Sequence, residues 1–198
     1  MQFDNVVFIG NPRCCCTSTV EYWNHKGISV DYWHDPLQYY TKRLSNPQDY
    51  KYYMIIRNPW DRFVSWWHQH RRHNHNFIMK YENFDEWVKS GEYHDWPDHT
   101  QGDPRPETRE YWKTHSPLLQ TDFIENDLGI EVNLMRIEDI NTEFPKFTKE
   151  YFDEEVELNK VNFTDRKDYH EYFTDETLEI VNEYLKKDIE FLDYEGEF

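Results

Sequence analysis

Val6-Val7-Phe8-Ile9-Gly10-Asn11-Pro12-Arg13-Cys14-Cys15-Cys16-Thr17-Ser18-Thr19 decides the fold class. The apolar run Val6 to Ile9 reads as a strand buried on both faces, and Gly10-Asn11-Pro12 closes it in a turn. The residues from Thr17 to His25 predict a helix, with Gly27 placed to end it. A buried strand feeding a helix through a tight turn is the opening unit of an α/β domain.

Working outward, the pattern repeats. Ile28 to Trp33 is a second, short strand candidate, and Tyr52-Tyr53-Met54-Ile55-Ile56 a stronger third, closed by Asn58-Pro59. Pro59 suits the first position of a helix, Asp61 complements its dipole, and Arg62, Val64, Trp66 and Trp67 continue it. Residues 91–110 are polar, with Gly, Pro and His, and read as a long loop or lid. Pro117 to Leu128 predicts an amphipathic helix ended by Gly129, and Val132 to Ile137 a fourth strand. A final helix starts near Thr174, with Leu178, Val181, Leu185 and Ile189 as its apolar stripe. The expectation is a single α/β domain over residues 1–198, with a mainly parallel central sheet. In such sheets ligands bind beyond the carboxyl ends of the strands. The two turns that matter are therefore Gly10 to Thr19 and Arg57 to Ser65.

The chain's 198 residues suffice for one core, and an aromatic content of 18% says that this core is built of Trp, Tyr and Phe. The formal net charge of -17 disfavours nucleic acid, anionic lipid and polyanionic polysaccharide as partners. An anionic ligand then needs a local basic pocket. Nothing near Met1 resembles a signal peptide, and no apolar stretch reaches the roughly 20 residues of a membrane span. Cys14, Cys15 and Cys16 are consecutive and make no disulfide framework, so a cytoplasmic setting is expected.

The first turn offers helix N–H groups, the Thr17 and Ser18 hydroxyls and the permanent charge of Arg13, a set that suits a phosphate. It lacks the second Gly and the Lys of a Walker motif. Small Cys side chains allow a ligand close to the backbone, and their spacing is wrong for zinc. The same residues can equally be a capped corner with a solvated Arg. In the second turn Arg57 can grip a phosphate bidentately and Ser65 can add a hydrogen bond, while Arg62 reads as structural.

Four stretches in order resemble the sulfotransferases that use 3'-phosphoadenosine 5'-phosphosulfate (PAPS), in particular the branch with many carbohydrate sulfotransferases. Asn11-Pro12-Arg13-Cys14-Cys15-Cys16-Thr17-Ser18 resembles their 5'-phosphosulfate loop, and Arg57-Asn58-Pro59-x-x-Arg62-x-Val64-Ser65 their 3'-phosphate motif. Gln120-Thr121-Asp122-Phe123 with Arg136-Ile137-Glu138-Asp139-Ile140 is similar to a later helix and strand end. The segment from Asn162 to Phe173 is similar to the closing segment.

The resemblance implies a P-loop-like, three-layer fold and transfer of a sulfuryl group to a hydroxyl, with an amine as second choice. It implies 3'-phosphoadenosine 5'-phosphate (PAP) as the product and no metal. The acceptor would be a small molecule or a carbohydrate, and a bacterial or viral source would fit a chain without an anchor. Pro12, Arg13, Cys14, Cys15, Cys16, Thr17 and Ser18 would surround the phosphosulfate, Arg57 and Ser65 would hold the 3'-phosphate, and Arg166 and Lys167 would close over the donor. Glu138 and Asp139 read as structural. Where the family usually has Lys this chain has Arg13, which supplies charge through a planar fork but gives up no proton.

Transfer to a hydroxyl also needs a base. His34 is the first candidate, with Asp35 to orient it and His25 or Glu21 as fallbacks. His68, His70, His73 and His75 form a conspicuous run that leaves its helix, read as a basic rim or a solvated helix end rather than a metal site. Trp87, Trp96, Tyr111 and Trp112 flank the polar loop, as packing beneath it or as a stacking surface for an acceptor. The competing readings are a P-loop-like kinase or nucleotide hydrolase, and a non-catalytic nucleotide-binding module of the same fold.

Overall fold

The computed structural model describes residues 1–30, 34–93, 105–158 and 166–198. In chain order the elements are β1 (Gln2–Phe3), β2 (Val6–Ile9), α1 (Cys16–His25), α2 (Leu37–Thr41), β3 (Lys51–Ile56), α3 (Pro59–Arg72), α4 (Asn76–Met79), α5 (Phe84–Ser90), α6 (Pro106–Tyr111), β4 (Val132–Arg136), α7 (Ile140–Phe152) and α8 (Asp175–Phe191). The fold is α/β, with a four-stranded sheet of order β1-β2-β3-β4 in which β2, β3 and β4 run parallel and β1 antiparallel. The chain divides into two compact units, Met1–Arg57 with Phe123–Phe163 and Asn58–Asp122 with Thr164–Phe198.

The first unit contains the sheet. Every residue of β2 is buried, as its unbroken apolar run required. Val6 and Phe8 of β2, Ile55 of β3 and Met135 of β4 share a core with Tyr22 and Trp23 of α1 and Ile140, Phe144 and Phe147 of α7. The core is largely aromatic: Trp23 meets Phe8 at 5.4 Å and Phe147 at 5.9 Å between ring centres, the latter edge to face. Gly27, with φ of +70°, ends α1 in the left-handed conformation, and its N–H bonds the Asn24 carbonyl. α7 carries Pro145 in its interior, so its sequence does not read as one helix.

The second unit is helical. Phe63 and Trp67 of α3 stack on Trp87 of α5 at 4.9 and 5.4 Å. α8 opens on a capping box at Thr174, where the hydroxyl accepts from the Thr177 N–H and the Thr177 hydroxyl accepts from the Thr174 N–H. Its apolar stripe is present, and Asp188 is buried on the same helix.

Three expectations change. Ile28 to Val30 form no strand, and the rest of that candidate, residues 31–33, lies outside the described residues. The predicted loop at 91–110 is partly helix, because Pro106 starts α6; residues 94–104, with Trp96, lie outside the described residues. Residues 117–128 form turns and one 3-10 turn, Thr121–Phe123, instead of a helix. The backbone there bonds to other partners: the buried Arg62 guanidinium donates to the carbonyls of Pro117 at 2.8 Å and Leu118 at 2.6 Å. The N–H groups of Gln120 and Thr121 donate to the Asp188 carboxylate at 2.7 and 2.9 Å, and the Thr121 hydroxyl adds a bond of 2.7 Å.

Burial pushes the Asp188 carboxyl above the ordinary range, while these donors and the charge of Arg62 pull it back. Asp188→Ala strands buried donors and should destabilise the protein by about 2–3 kcal/mol in urea unfolding. Asp188→Asn, which keeps an acceptor, should cost about 1 kcal/mol. Equal losses in the two variants would show that the acceptor is not what Asp188 contributes.

Candidate functional site

In the first unit β2 delivers the chain to a turn with two non-glycine residues in the left-handed region, Arg13 at φ 68° and Cys15 at φ 56°. Such conformations cost on the order of 1 kcal/mol each and persist where the surroundings impose them. Left-handed residues on either side of Cys14, just before a helix N-terminus, are a feature of anion-binding nests. The Asn11 carbonyl stabilises the turn, accepting from the Cys14 N–H at 3.2 Å and from the Cys16 thiol at 2.8 Å. α1 then starts at Cys16 with no side-chain cap from Cys15 and no acidic residue in its first turn. In contrast, α3, α5 and α8 are capped by Asn58, Asn83 and Thr174 and carry acids in their first turns. The positive end of α1 thus has no carboxylate of its own. Thr17, half-buried, and Ser18, buried, lie in that first turn.

Two bonds tie the turn to the end of β3. Asn11 Nδ2 donates to the Ile55 carbonyl at 2.9 Å, and Arg57 Nη1 donates to the Arg13 carbonyl at 3.1 Å. The second bond places the Arg57 guanidinium beside the turn, so the two strand ends identified in the sequence converge. His34 also reaches this corner, with Nδ1 3.2 Å from the Gly10 carbonyl oxygen. A carbonyl only accepts, so Nδ1 carries the proton in this bond, and in the neutral ring Nε2 carries the lone pair. Asp35, the next residue, is buried. Pro12, Arg13, Cys14, Cys15, Cys16, Thr17, Ser18, His34 and Arg57 therefore occupy one corner of this unit. The arrangement brings a guanidinium, two hydroxyls and an imidazole to the turn before α1.

In the second unit Asn58 caps α3 by accepting from the Asp61 N–H at 3.1 Å, with Pro59 at the first helical position. Ser65 is buried one turn beyond Asp61. Arg166 pairs with Asp61, a contact the sequence reading did not assign. The signal for it was present in the helical spacing of Asn58, Asp61, Ser65 and His68, which share one face. Lys167 is exposed, 3.8 Å from Glu171.

The histidine run separates into distinct environments. His68 Nε2 lies 2.8 Å from the Tyr172 hydroxyl; burial first, then the charges of Arg166 and Arg71, hold its imidazole below the ordinary range. His70 is buried, stacks on Trp66 and shares a 2.9 Å Nδ1 to Nδ1 contact with His75. Trp87 and Tyr111 are core residues, and Tyr111 stacks on His115 at 3.8 Å. Trp112 is half-buried. Among the described residues no helix is long and apolar enough to cross a membrane.

The model of one protein family, described as the sulfotransferase family, matches residues 11–195. No curated protein and no solved structure matches the chain.

Proposed function

The chain belongs to the sulfotransferase family, whose chemistry is sulfuryl transfer, and from that membership we propose that its donor is PAPS and its acceptor a hydroxyl compound. The observation that carries the donor reading is the corner at β2: two left-handed residues, an α1 N-terminus without acidic residues, and Arg57 bonded to the Arg13 carbonyl. These features fit a phosphate bearing a sulfuryl group, which the backbone N–H groups and the hydroxyls of Thr17 and Ser18 can bind from several sides.

In this reading Pro12 and Cys14 to Cys16 shape the cradle around the 5'-phosphosulfate, and Arg13 stabilises charge on the departing phosphate oxygen. Arg57 and Ser65 take the 3'-phosphate, with Arg166 and, at the surface, Lys167 on the donor side of the closing segment. The donor supplies an activated sulfuryl group. His34 Nε2 takes the acceptor's hydroxyl proton, in the tautomer that the Gly10 carbonyl selects. Arg13 in place of Lys confines its role to electrostatics, because a guanidinium does not give up its proton.

A charge of -17 repels a polyanionic acceptor at long range, so the reading favours a neutral sugar or a small hydroxylated molecule. Residues 91–110 remain our choice for the acceptor side. The three adjacent cysteines favour a reducing, cytoplasmic setting. Calorimetric titration tests the donor directly. PAP should bind in the absence of magnesium, and ATP with magnesium should not compete for its site. Binding of ATP with magnesium and not of PAP would instead overturn the PAPS reading and favour the kinase, hydrolase or nucleotide-binding-module readings.

A further inference from the structure

Asn58, Asp61, Ser65 and His68 line one face of α3, and the segment from Arg166 to Tyr172 is bound to that face at three points. Arg166 Nη2 pairs with Asp61 Oδ1, and Asn58 Nδ2 donates to the Tyr169 hydroxyl at 3.3 Å. The Tyr172 hydroxyl lies 2.8 Å from His68 Nε2. The Tyr169 hydroxyl in turn donates to the Glu197 carbonyl at 2.9 Å, which anchors the segment from its other side. Ser65 sits on the same face, one turn from Asp61 and one turn from His68.

Two observations locate the Arg166 charge relative to Ser65. Its guanidinium bonds the carboxylate one turn before Ser65. It also contributes to holding the imidazole one turn after Ser65 below its usual range, behind the larger effect of burial. The Arg166 side chain is 11% exposed and that of Asp61 19%, so neither is a mobile surface charge. A guanidinium carries its N–H donors in one fixed plane, so a carboxylate on one edge sets the direction of the others.

We propose that Asp61 is a positioning residue for the donor's 3'-phosphate: it fixes the Arg166 guanidinium over the Ser65 turn of α3. The inference rests on the donor reading above and deepens it, because it names what gives the protein selectivity for a nucleotide with a 3'-phosphate. An arginine held in place before the ligand arrives gives up little rotamer freedom on binding. Asp61 also neutralises the Arg166 charge during its partial burial, so the cation is kept without an unpaired desolvation cost.

The test compares PAP with adenosine 5'-monophosphate, which differs from it only by lacking the 3'-phosphate. Both are titrated calorimetrically into the full chain as wild type, Asp61→Asn, Arg166→Gln and the double variant. Asp61→Asn should weaken PAP about tenfold and leave the monophosphate unchanged. Arg166→Gln should weaken PAP by more, and adding Asp61→Asn to it should change little, since the carboxylate then has nothing to orient. Asp61→Glu should recover part of the loss. Unchanged or tighter binding of PAP to Asp61→Asn would overturn the inference, as would equal weakening of both nucleotides, the pattern of a merely structural role. If Asp61→Asn proves unstable in thermal melts, Arg166→Gln reads the same pair from the other side: undiminished preference for PAP over the monophosphate in that variant overturns the inference alone. Failure of the wild type to bind PAP removes the donor reading itself, and with it the inference.

Discussion

His34→Ala should lower kcat for sulfuryl transfer about 10²–10³-fold, the usual contribution of a positioned general base, while PAP affinity changes by less than about threefold. His34 bonds the turn through Nδ1 and the Gly10 carbonyl, so its protonation pattern is set by an acceptor that cannot donate. That leaves Nε2 to take the acceptor's proton, and the neutral ring is the active form. His34→Asn, which can restore a bond to the Gly10 carbonyl but has no basic nitrogen, separates the alternatives. If it recovers wild-type kcat, His34 supports the turn and the base lies elsewhere. The measurement is transfer from labelled donor at saturating concentration, on the best acceptor found in a screen of hydroxyl compounds.

What the sequence revealed of the fold follows from how local each signal is. β2 and β3 were legible because unbroken apolar runs can only be buried strands or short core helices, and the flanking Gly10 and Pro59 decided between these. The starts of α3 and α8 were legible because Pro59 and Thr174 act within their own first turns. Residues 117–128 were not, although their spacing is amphipathic. Arg62 and Asp188 occupy the backbone carbonyls and N–H groups that a helix would have used, and those partners lie more than fifty residues away in sequence. Asp188 lies three residues after Leu185 and seven after Val181, so helical spacing puts it on the buried face of α8, but nothing local shows which distant backbone groups it binds.

The candidate site divides in the same way. The residue types at the two turns were visible, since a cation and hydroxyls at a strand end carry their chemistry in their spacing. Their mutual placement was not: the bond from Arg57 to the Arg13 carbonyl needs the parallel register of β2 on β3, in which Ile9 lies opposite Met54. The left-handed conformations of Arg13 and Cys15 were likewise hidden, because glycine is the residue that usually announces them. The pairing of Arg166 with Asp61 links residues more than a hundred positions apart and had only the helical spacing of its partner as a signal.

Arg57→Ala should weaken PAP binding about 10²–10³-fold, because it removes a bidentate, charge-assisted contact worth roughly 1.5–3 kcal/mol per bond. Arg57 also supports the turn, since its Nη1 bonds the Arg13 carbonyl and that residue holds a strained φ of 68°. The two roles predict different ligand profiles. Loss of the phosphate contact should appear with PAP and hardly with adenosine 5'-monophosphate, whereas loss of the strut should weaken both, because the 5'-side cradle depends on the turn. Arg57→Lys keeps the charge and gives up the planar fork, so it should recover part of the PAP affinity and remain about tenfold below wild type. If Arg57→Lys is indistinguishable from wild type, charge alone suffices and the bidentate contact is wrong. If Arg57→Ala weakens the monophosphate as much as PAP, Arg57 acts through the turn, and discrimination of the 3'-phosphate falls to Ser65 and Arg166 on α3 and the segment bound along it.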